Sequence, residues 1–279
     1  MKKESIVIFS LFLTFQAFSQ VKYEQIRIPL DNSKGVPFRK VEGTYMLGGF
    51  EVDNNNSFYF LGGNMATLAV FKAGKLVNIK RYKEFEAGNL YLDGDKIYSF
   101  DYLFKATDKK YKNNLVVLNK SDGTLNTIYG HITDGAVNSY RFINHSLILD
   151  KSTDSKNSAE IYSFKYDFSG KLLTRIENGF DLPIQFFPKS YSDEGVFFLG
   201  LWNNCYVYGV YTESGKVKFW ILDAHGTKKY LKDIDARLLG KSFIETPNEF
   251  IKIRNGFIYI AGHEKNNVVI TIISIKDLL

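Results

Sequence analysis

Apolar and polar residues alternate with period two along most of this chain, the spacing of strands with one face packed and one face polar. One short unit returns five times: a turn residue, then an alternating apolar strand that often closes in Gly or Asp. The copies are residues 57–62, 95–101, 145–150, 195–200 and 256–262. Their first apolar residues, Phe58, Ile97, Leu147, Val196 and Phe257, lie 39, 50, 49 and 61 residues apart. A second pattern keeps pace with the first. Residues 68–71, 115–118, 161–166 and 206–211 are further strands, each followed by a small or polar residue, a glycine and another strand. The glycines are Gly74, Gly123, Gly170 and Gly215, at intervals of 49, 47 and 45. A glycine there supplies the positive φ that a tight hairpin needs. The spacing predicts a domain built from repeated four-stranded units.

The fifth unit is incomplete. Residues 249–254, 257–261 and 268–275 supply three strands, and the glycine turn with its fourth strand does not follow. A missing outer strand would leave an open edge. Residues 23–30 alternate Tyr23, Gln25 and Arg27 against Glu24, Ile26 and Ile28, and have no partner of their own. Placed on the last unit, they would close a ring.

These repeats resemble the β-propeller superfamily, in which such closure by a terminal strand is a known feature. The resemblance implies an all-β ring of four-stranded blades. Five blades of about 52 residues account for the spacing, with residues 218–234 and their His225-Gly226-Thr227 turn read as a decoration of the fourth blade. Six blades result if that segment is a degenerate blade. A β-sandwich would explain the strands but not their regular spacing.

Composition agrees with a β-rich interior: 24 Phe, 18 Tyr and 2 Trp against 5 Pro. With 45% hydrophobic and 24% charged residues the chain is outside the disordered, coiled-coil and collagen-like classes. Cys205 is the single cysteine, so no disulfide can form within the chain.

Residues 1–19 differ from the rest. Lys2 and Lys3 precede an apolar run over residues 6–18, and Ala17-Phe18-Ser19 places small residues where a signal peptidase reads. The run is shorter than the roughly 20 residues that span a bilayer. This is read as a secretory signal cut before Gln20, leaving residues 20–279 as a single domain with no transmembrane segment. Its ending resembles signal peptides common in Bacteroidetes, which implies export to a periplasm or beyond. No Cys stands near the cut, so a lipid anchor is not expected.

From Gln20 onward the chain keeps 34 Lys and Arg against 29 Asp and Glu, a net charge near +5. The basic residues are spread rather than gathered on one face, which argues against a nucleic-acid partner. Lys109-Lys110-Tyr111-Lys112 and Lys228-Lys229 read as edge lysines that block sheet-to-sheet pairing.

Candidate chemistry is sparse. His131, His145, His225 and His263 are far apart and belong to no metal-binding motif, and Asp53-Asn54-Asn55-Asn56 lacks calcium-loop spacing. No nucleophile elbow or phosphate-binding glycine loop is present, so no cofactor is expected. Cys205 reads as a small strand hydrophobe. Asp101 and Asp150 close two of the repeated strands, and Glu194 precedes the next. Five-bladed propellers include glycoside hydrolases with carboxylates around the channel, so the resemblance implies a catalytic alternative built on these three. Trp202, Tyr206, Tyr208, Tyr211 and Trp220, with His225, form an aromatic group about the irregular fourth unit, suited to a glycan or a protein hot spot.

The reading that follows is an exported envelope or periplasmic interaction module without catalysis, binding a protein or a glycan through the fourth unit. The alternatives are the hydrolase and a periplasmic immunity or inhibitor protein that blocks a toxin by surface complementarity.

Overall fold

Short alternating strands cannot bury both faces of an isolated sheet. This chain solves the problem by setting five four-stranded antiparallel sheets side by side. The computed structural model describes residues 22–29, 39–41, 44–46, 49–62, 67–81, 87–105, 110–121, 124–129, 137, 139–153, 160–177, 196–211, 216–223, 225–235, 250–264 and 266–279.

Strand β1 (Tyr23–Pro29) is followed by a two-stranded ladder, β2 (Arg39–Val41) with β3 (Thr44–Met46). Blade 1 then runs β4 (Gly49–Val52), β5 (Ser57–Gly62), β6 (Thr67–Lys72) and β7 (Lys75–Arg81). Blade 2 is β8 (Ala87–Asp93), β9 (Lys96–Lys105), β10 (Lys110–Asn119) and β11 (Leu125–Tyr129). Blade 3 is β12 (Ser139–Ile143), β13 (Ser146–Thr153), β14 (Glu160–Asp167) and β15 (Leu172–Glu177). Blade 4 is β16 (Val196–Trp202), β17 (Cys205–Tyr211), β18 (Lys216–Leu222) and β19 (Lys228–Asp235). Blade 5 takes β20 (Ile251–Arg254), β21 (Phe257–Glu264) and β22 (Asn267–Ser274), and β1 completes it.

Five gaps between five sheets hold five apolar clusters, which is the signature of a closed ring. Tyr59, Leu61 and Leu68 of blade 1 meet Leu92, Ile97 and Val116 of blade 2. Tyr98 and Phe100 pack on Leu147 and Leu149 of blade 3. Ile143 and Ile148 pack on Tyr208 and Leu222 of blade 4. Val207, Val217 and Phe219 meet Ile258 and Ile260 of blade 5. Tyr259, Ala261 and Ile270 return to Phe50, Phe58 and Phe60 of blade 1. Each such Val, Leu, Ile or Phe side chain, fully removed from water, contributes about 1.5–3 kcal/mol. The fold is therefore a five-bladed β-propeller. Among the described residues no helix is long and apolar enough to cross a membrane.

Ring closure by the N-terminal strand holds residue for residue. β1 lies antiparallel to β22, from Tyr23 opposite Ile273 to Pro29 opposite Asn267. Ile28 is buried in the cluster between blades 5 and 1, and the Gln25 amide donates to Thr271 Oγ1 at 3.2 Å. Gly74, at φ +75°, is the tight turn of blade 1, and a Cβ on it would stand 3.5 Å from the Arg27 carbonyl oxygen. β1 and β22 are thus packed against the first blade as well as against each other.

The blade boundaries correct the repeat at one place. The strands beginning near Phe58, Ile97, Leu147 and Phe257 are the second of their blades, whereas Val196 begins a first strand. The true counterpart in blade 4 is β17, so the second strands start at Ser57, Lys96, Ser146, Cys205 and Phe257. Gly215 accordingly lies between the second and third strands of blade 4, and the turn matching Gly74 and Gly170 is at Gly226, φ +79°. Residues 218–234 are not a decoration or a sixth blade. They form the bulk of β18 and β19, the two outer strands that every blade possesses. The slip arose because β16 and β17 are both apolar and are joined by Asn203-Asn204, a left-handed turn with no glycine.

Candidate functional site

The first strand of each blade faces the axis: β4 touches both β8 and β20, and β20 touches β16. Counting back from the first hairpin of each blade, Glu51, Tyr91, Arg141, Gly200 and Lys252 occupy one equivalent position, opposite Tyr59, Tyr98, Ile148, Val207 and Tyr259. Three of these five carry charge at the centre of the ring. Each is engaged. The Lys252 ammonium, buried, donates to the Asn89 side-chain carbonyl and to the Leu90 carbonyl oxygen at 3.3 Å. Since Lys252 belongs to blade 5 and Asn89 to blade 2, this side chain passes blade 1 and bridges the central space. Glu51 accepts the Val52 N–H at 2.9 Å and faces Arg254 Nη2 at 3.7 Å, while Arg254 Nε donates to the Val52 carbonyl.

Arg141 makes the third pair. Its Nη1 meets Asp150 Oδ2, and Ser163 Oγ donates to Asp150 Oδ1 at 2.5 Å. Asp150 is buried, so the guanidinium and the hydroxyl replace its lost water. The other edge of Arg141 is different: Nε and Nη2 are buried and have no hydrogen-bond partner among the described residues. A buried donor left unmet costs about 1–3 kcal/mol, more when charged, so this is an expensive arrangement for a structural residue.

The hairpins between first and second strands, and those between third and fourth, lie at the same end of the ring because first and third strands run parallel. Asparagine recurs in them. Asn56, Asn144, His145, Asn203, Asn204 and Asn255 all have positive φ, a conformation that Asn tolerates better than most side chains. Asn54, Asn55, Asn56, Asp95, Asn144, His145, Asn203, Asn204 and Asn255 are exposed there. Aspartates staple the larger turns: Asp53 Oδ1 accepts the N–H groups of Asn55 and Ser57, Asp167 Oδ1 those of Ser169 and Lys171, and Asp223 Oδ1 those of His225 and Thr227.

These bonds depress the carboxyls. Burial works against the charge on Asp53, but the Ser57 and Asn55 N–H groups, the Tyr59 hydroxyl and Lys120 outweigh it and hold its pKa below the ordinary value. The Ser169 hydroxyl leads the lowering at Asp167, and the Thr227 N–H leads it at Asp223. Adjacent blades are also linked here, His145 Nδ1 to Asp93 at 2.7 Å and the Tyr259 hydroxyl to Asn56 Oδ1 at 2.8 Å.

The aromatic group is split by the fold. Tyr208 is 1% exposed and belongs to the interior between blades 3 and 4, with Tyr206 and Trp220 half-buried against it. Burial first, and Tyr206 second, push the Tyr208 hydroxyl's pKa well up, while Arg141 acts the other way. Trp202 packs on the opposite side of blade 4, its Nε1 3.6 Å from where a Cβ on Gly256 would stand. Among the members of the group whose side chains are described, His225 alone is exposed, in the Gly226 turn. Tyr211 lies at the end of β17, with its side chain outside the described residues.

Of the three carboxylates, only Asp150 has its side chain among the described residues, and Asp101 is placed by its strand alone. Asp150 is four residues into β13 and Asp101 five residues into β9, so they are one step out of register rather than equivalent. Glu194 lies outside the described residues, as does His131. Cys205 is half-buried beside the cluster of blades 4 and 5. Lys229 sits on β19, the outer edge of blade 4, where an exposed lysine hinders edge-to-edge pairing. Among the described residues no three His, Cys, Asp or Glu gather as metal ligands.

The repeat does not single out Glu51, Asn89, Arg141, Lys252 and Arg254, because most of its recurring strands are the second of their blades and these residues lie on the first. A usable signal was present. The short runs Phe50-Glu51-Val52, Tyr140-Arg141-Phe142 and Ile251-Lys252-Ile253-Arg254 each place charge at the alternate position of an apolar strand just before an Asp- or Asn-containing turn.

No family model and no curated protein matches the chain. Among solved structures it is similar to Zg3597, a family 117 glycoside hydrolase from the marine bacterium Zobellia galactanivorans, at 6% identity and TM-score 0.47, covering 91% of this chain and 90% of that one. It is also similar to a β-1,2-mannobiose phosphorylase from Listeria innocua, at 13% identity and TM-score 0.43, covering 91% and 82%. BamB from Moraxella catarrhalis follows at 11% identity and TM-score 0.30, covering 80% and 57%. Likeness at this level brings no activity across to this chain. The five sheets and five interfaces stand on their own.

Proposed function

We propose that this propeller is an exported, non-catalytic interaction module that captures a protein or a glycan, with the turn-bearing end of the ring, and blade 4 in particular, as its contact surface. The observation that carries this reading is the state of three carboxylates buried among the described residues. Glu51 is taken up by Arg254 and its neighbour's N–H, Asp53 by two N–H groups, Tyr59 and Lys120, and Asp150 by Arg141 and Ser163. Acid–base hydrolysis by a carboxyl pair needs groups open to a substrate, and these are committed to holding the ring together. The turns instead present Asn, Asp and His side chains over a framework of tight hairpins, a pre-organised polar surface. Near blade 4 it adds Trp202, Tyr206 and His225, with Tyr208 and Trp220 supporting from beneath and Tyr211 on the same strand. Export rests on the charged start and apolar run of residues 1–19.

The test is capture from native envelope extract and from a glycan array, comparing the unaltered protein with a variant carrying Asn55→Ala, Asn204→Gly and His225→Ala. These positions are exposed, and glycine keeps the left-handed turn at 204. The variant is expected to fold normally and to lose capture at least tenfold. Undiminished capture would place the contact elsewhere. Hydrolysis of glycosides by the unaltered protein, abolished by Asp150→Asn with Asp101→Asn, would replace the binding reading with the hydrolase.

A further inference from the structure

We propose that the gap between blades 3 and 4, beside the central channel, is a binding site for a small oxyanion, a carboxylate or phosphate group gripped by the Nε–Nη2 edge of Arg141. A guanidinium offers two parallel N–H bonds along one edge, spaced to match two oxygens of one acid group. Asp150 uses Nη1 and, through Ser163, is itself fixed in place, so the guanidinium is held with its remaining edge turned away from the pair. Both N–H groups on that edge are buried and unmet by any acceptor among the described residues. Natural interiors rarely leave charged donors in that condition without a water, ion or ligand to take them.

The gap is lined by apolar and aromatic side chains. Arg141 lies opposite Ile148, which packs in the gap against Tyr208 and Leu222 of blade 4. Tyr208 and Trp220 are direct cross-strand partners facing this gap. With its pKa raised by burial the Tyr208 hydroxyl keeps its proton, and an indole N–H can only donate. Asp150 cancels the guanidinium charge in part, which favours a singly charged group over a highly charged one. Because the edge is sealed, the inter-blade rings must part for entry.

The experiment is a titration of the ¹⁵N-labelled full chain followed through the arginine Nε–Hε signals, with sodium acetate and inorganic phosphate as probes at constant ionic strength and methyl glucoside as the neutral arm. Through-bond correlation assigns the Arg141 signal independently of any variant. Its saturable shift with acetate or phosphate, and not with the glucoside, is the expected result, and the anion that acts identifies carboxylate or phosphate as the preferred group. In Arg141→Lys, which keeps a charge for Asp150 but not the fork, anion-induced stabilisation against heat should disappear. An Arg141 signal unmoved by both anions, or moved only by the glucoside, would overturn the site.

Discussion

Asp53 shows how a single residue links local geometry to stability. Its carboxylate closes the first turn of blade 1, receives Tyr59 from the next strand at 3.0 Å, and faces Lys120 of blade 2 at 3.6 Å. Lys120 also lies over the Tyr59 ring at 5.3 Å. The folded pKa is lowered, so the stabilisation is present above the unfolded value of about 3.9 and is lost as pH falls through the folded one. Thermal melting between about pH 5 and pH 2 should therefore fall more steeply for the unaltered protein than for Asp53→Asn. Equal slopes would mean that the turn bonds do not favour the charged form. Asp167 and Asp223 add to the same trend through their own turns. At this scale the candidate site was hardly legible in the sequence. Lys252 and Asn89 are 163 positions apart and meet only because the ring brings blades 5 and 2 to one axis. A repeat shows which positions are equivalent, whereas contacts across the axis depend on side-chain reach.

Among the elements, β1 has the most to do for its length. It supplies the fourth strand of blade 5, and without it β22 would be an open edge. Ile28, 1% exposed, faces Phe60, Ala69 and the other residues of the blade 5–blade 1 interface. Ile28→Ala is expected to cost about 2–5 kcal/mol in urea unfolding, while Val77→Ala, on an exposed stretch of β7, should change stability by less than about 0.5 kcal/mol. Equal effects would show that closure contributes little.

The closing strand was legible because residues 23–29 alternate cleanly and no neighbouring segment could pair with them. The turn glycines at 74 and 170 were legible for a similar reason, since positive φ selects them. The first strands were harder. β4 and β20 are four residues long, all buried or half-buried, and too short to show a period. In blade 4 the sequence Ser214-Gly215, which falls between β17 and β18, imitates the glycine turn expected a strand later, and the repeat runs one strand out of phase there.

For the molecule as a whole, the phase correction changes which experiments carry meaning. Residues 218–234 comprise most of two strands, including Phe219 and Leu222, both fully buried. Their deletion is expected to unfold the propeller, seen as loss of the strand circular-dichroism signal and of cooperative melting. Retention of a folded ring would contradict the blade assignment. Surface substitutions, not segment deletions, are the proper probe of binding here. The ring itself is held by apolar packing in every gap and by three charged contacts near the axis, an arrangement suited to a rigid platform.

The central claim is that this platform binds through its turn-bearing end. Hydrogen–deuterium exchange of the protein with and without its captured partner tests it most directly. The account predicts slowed exchange in peptides covering residues 53–57, 143–146, 202–206 and 223–227, with the blade strands unchanged. Protection confined to the opposite end of the ring, with those turns exchanging as fast as in the free protein, would contradict it.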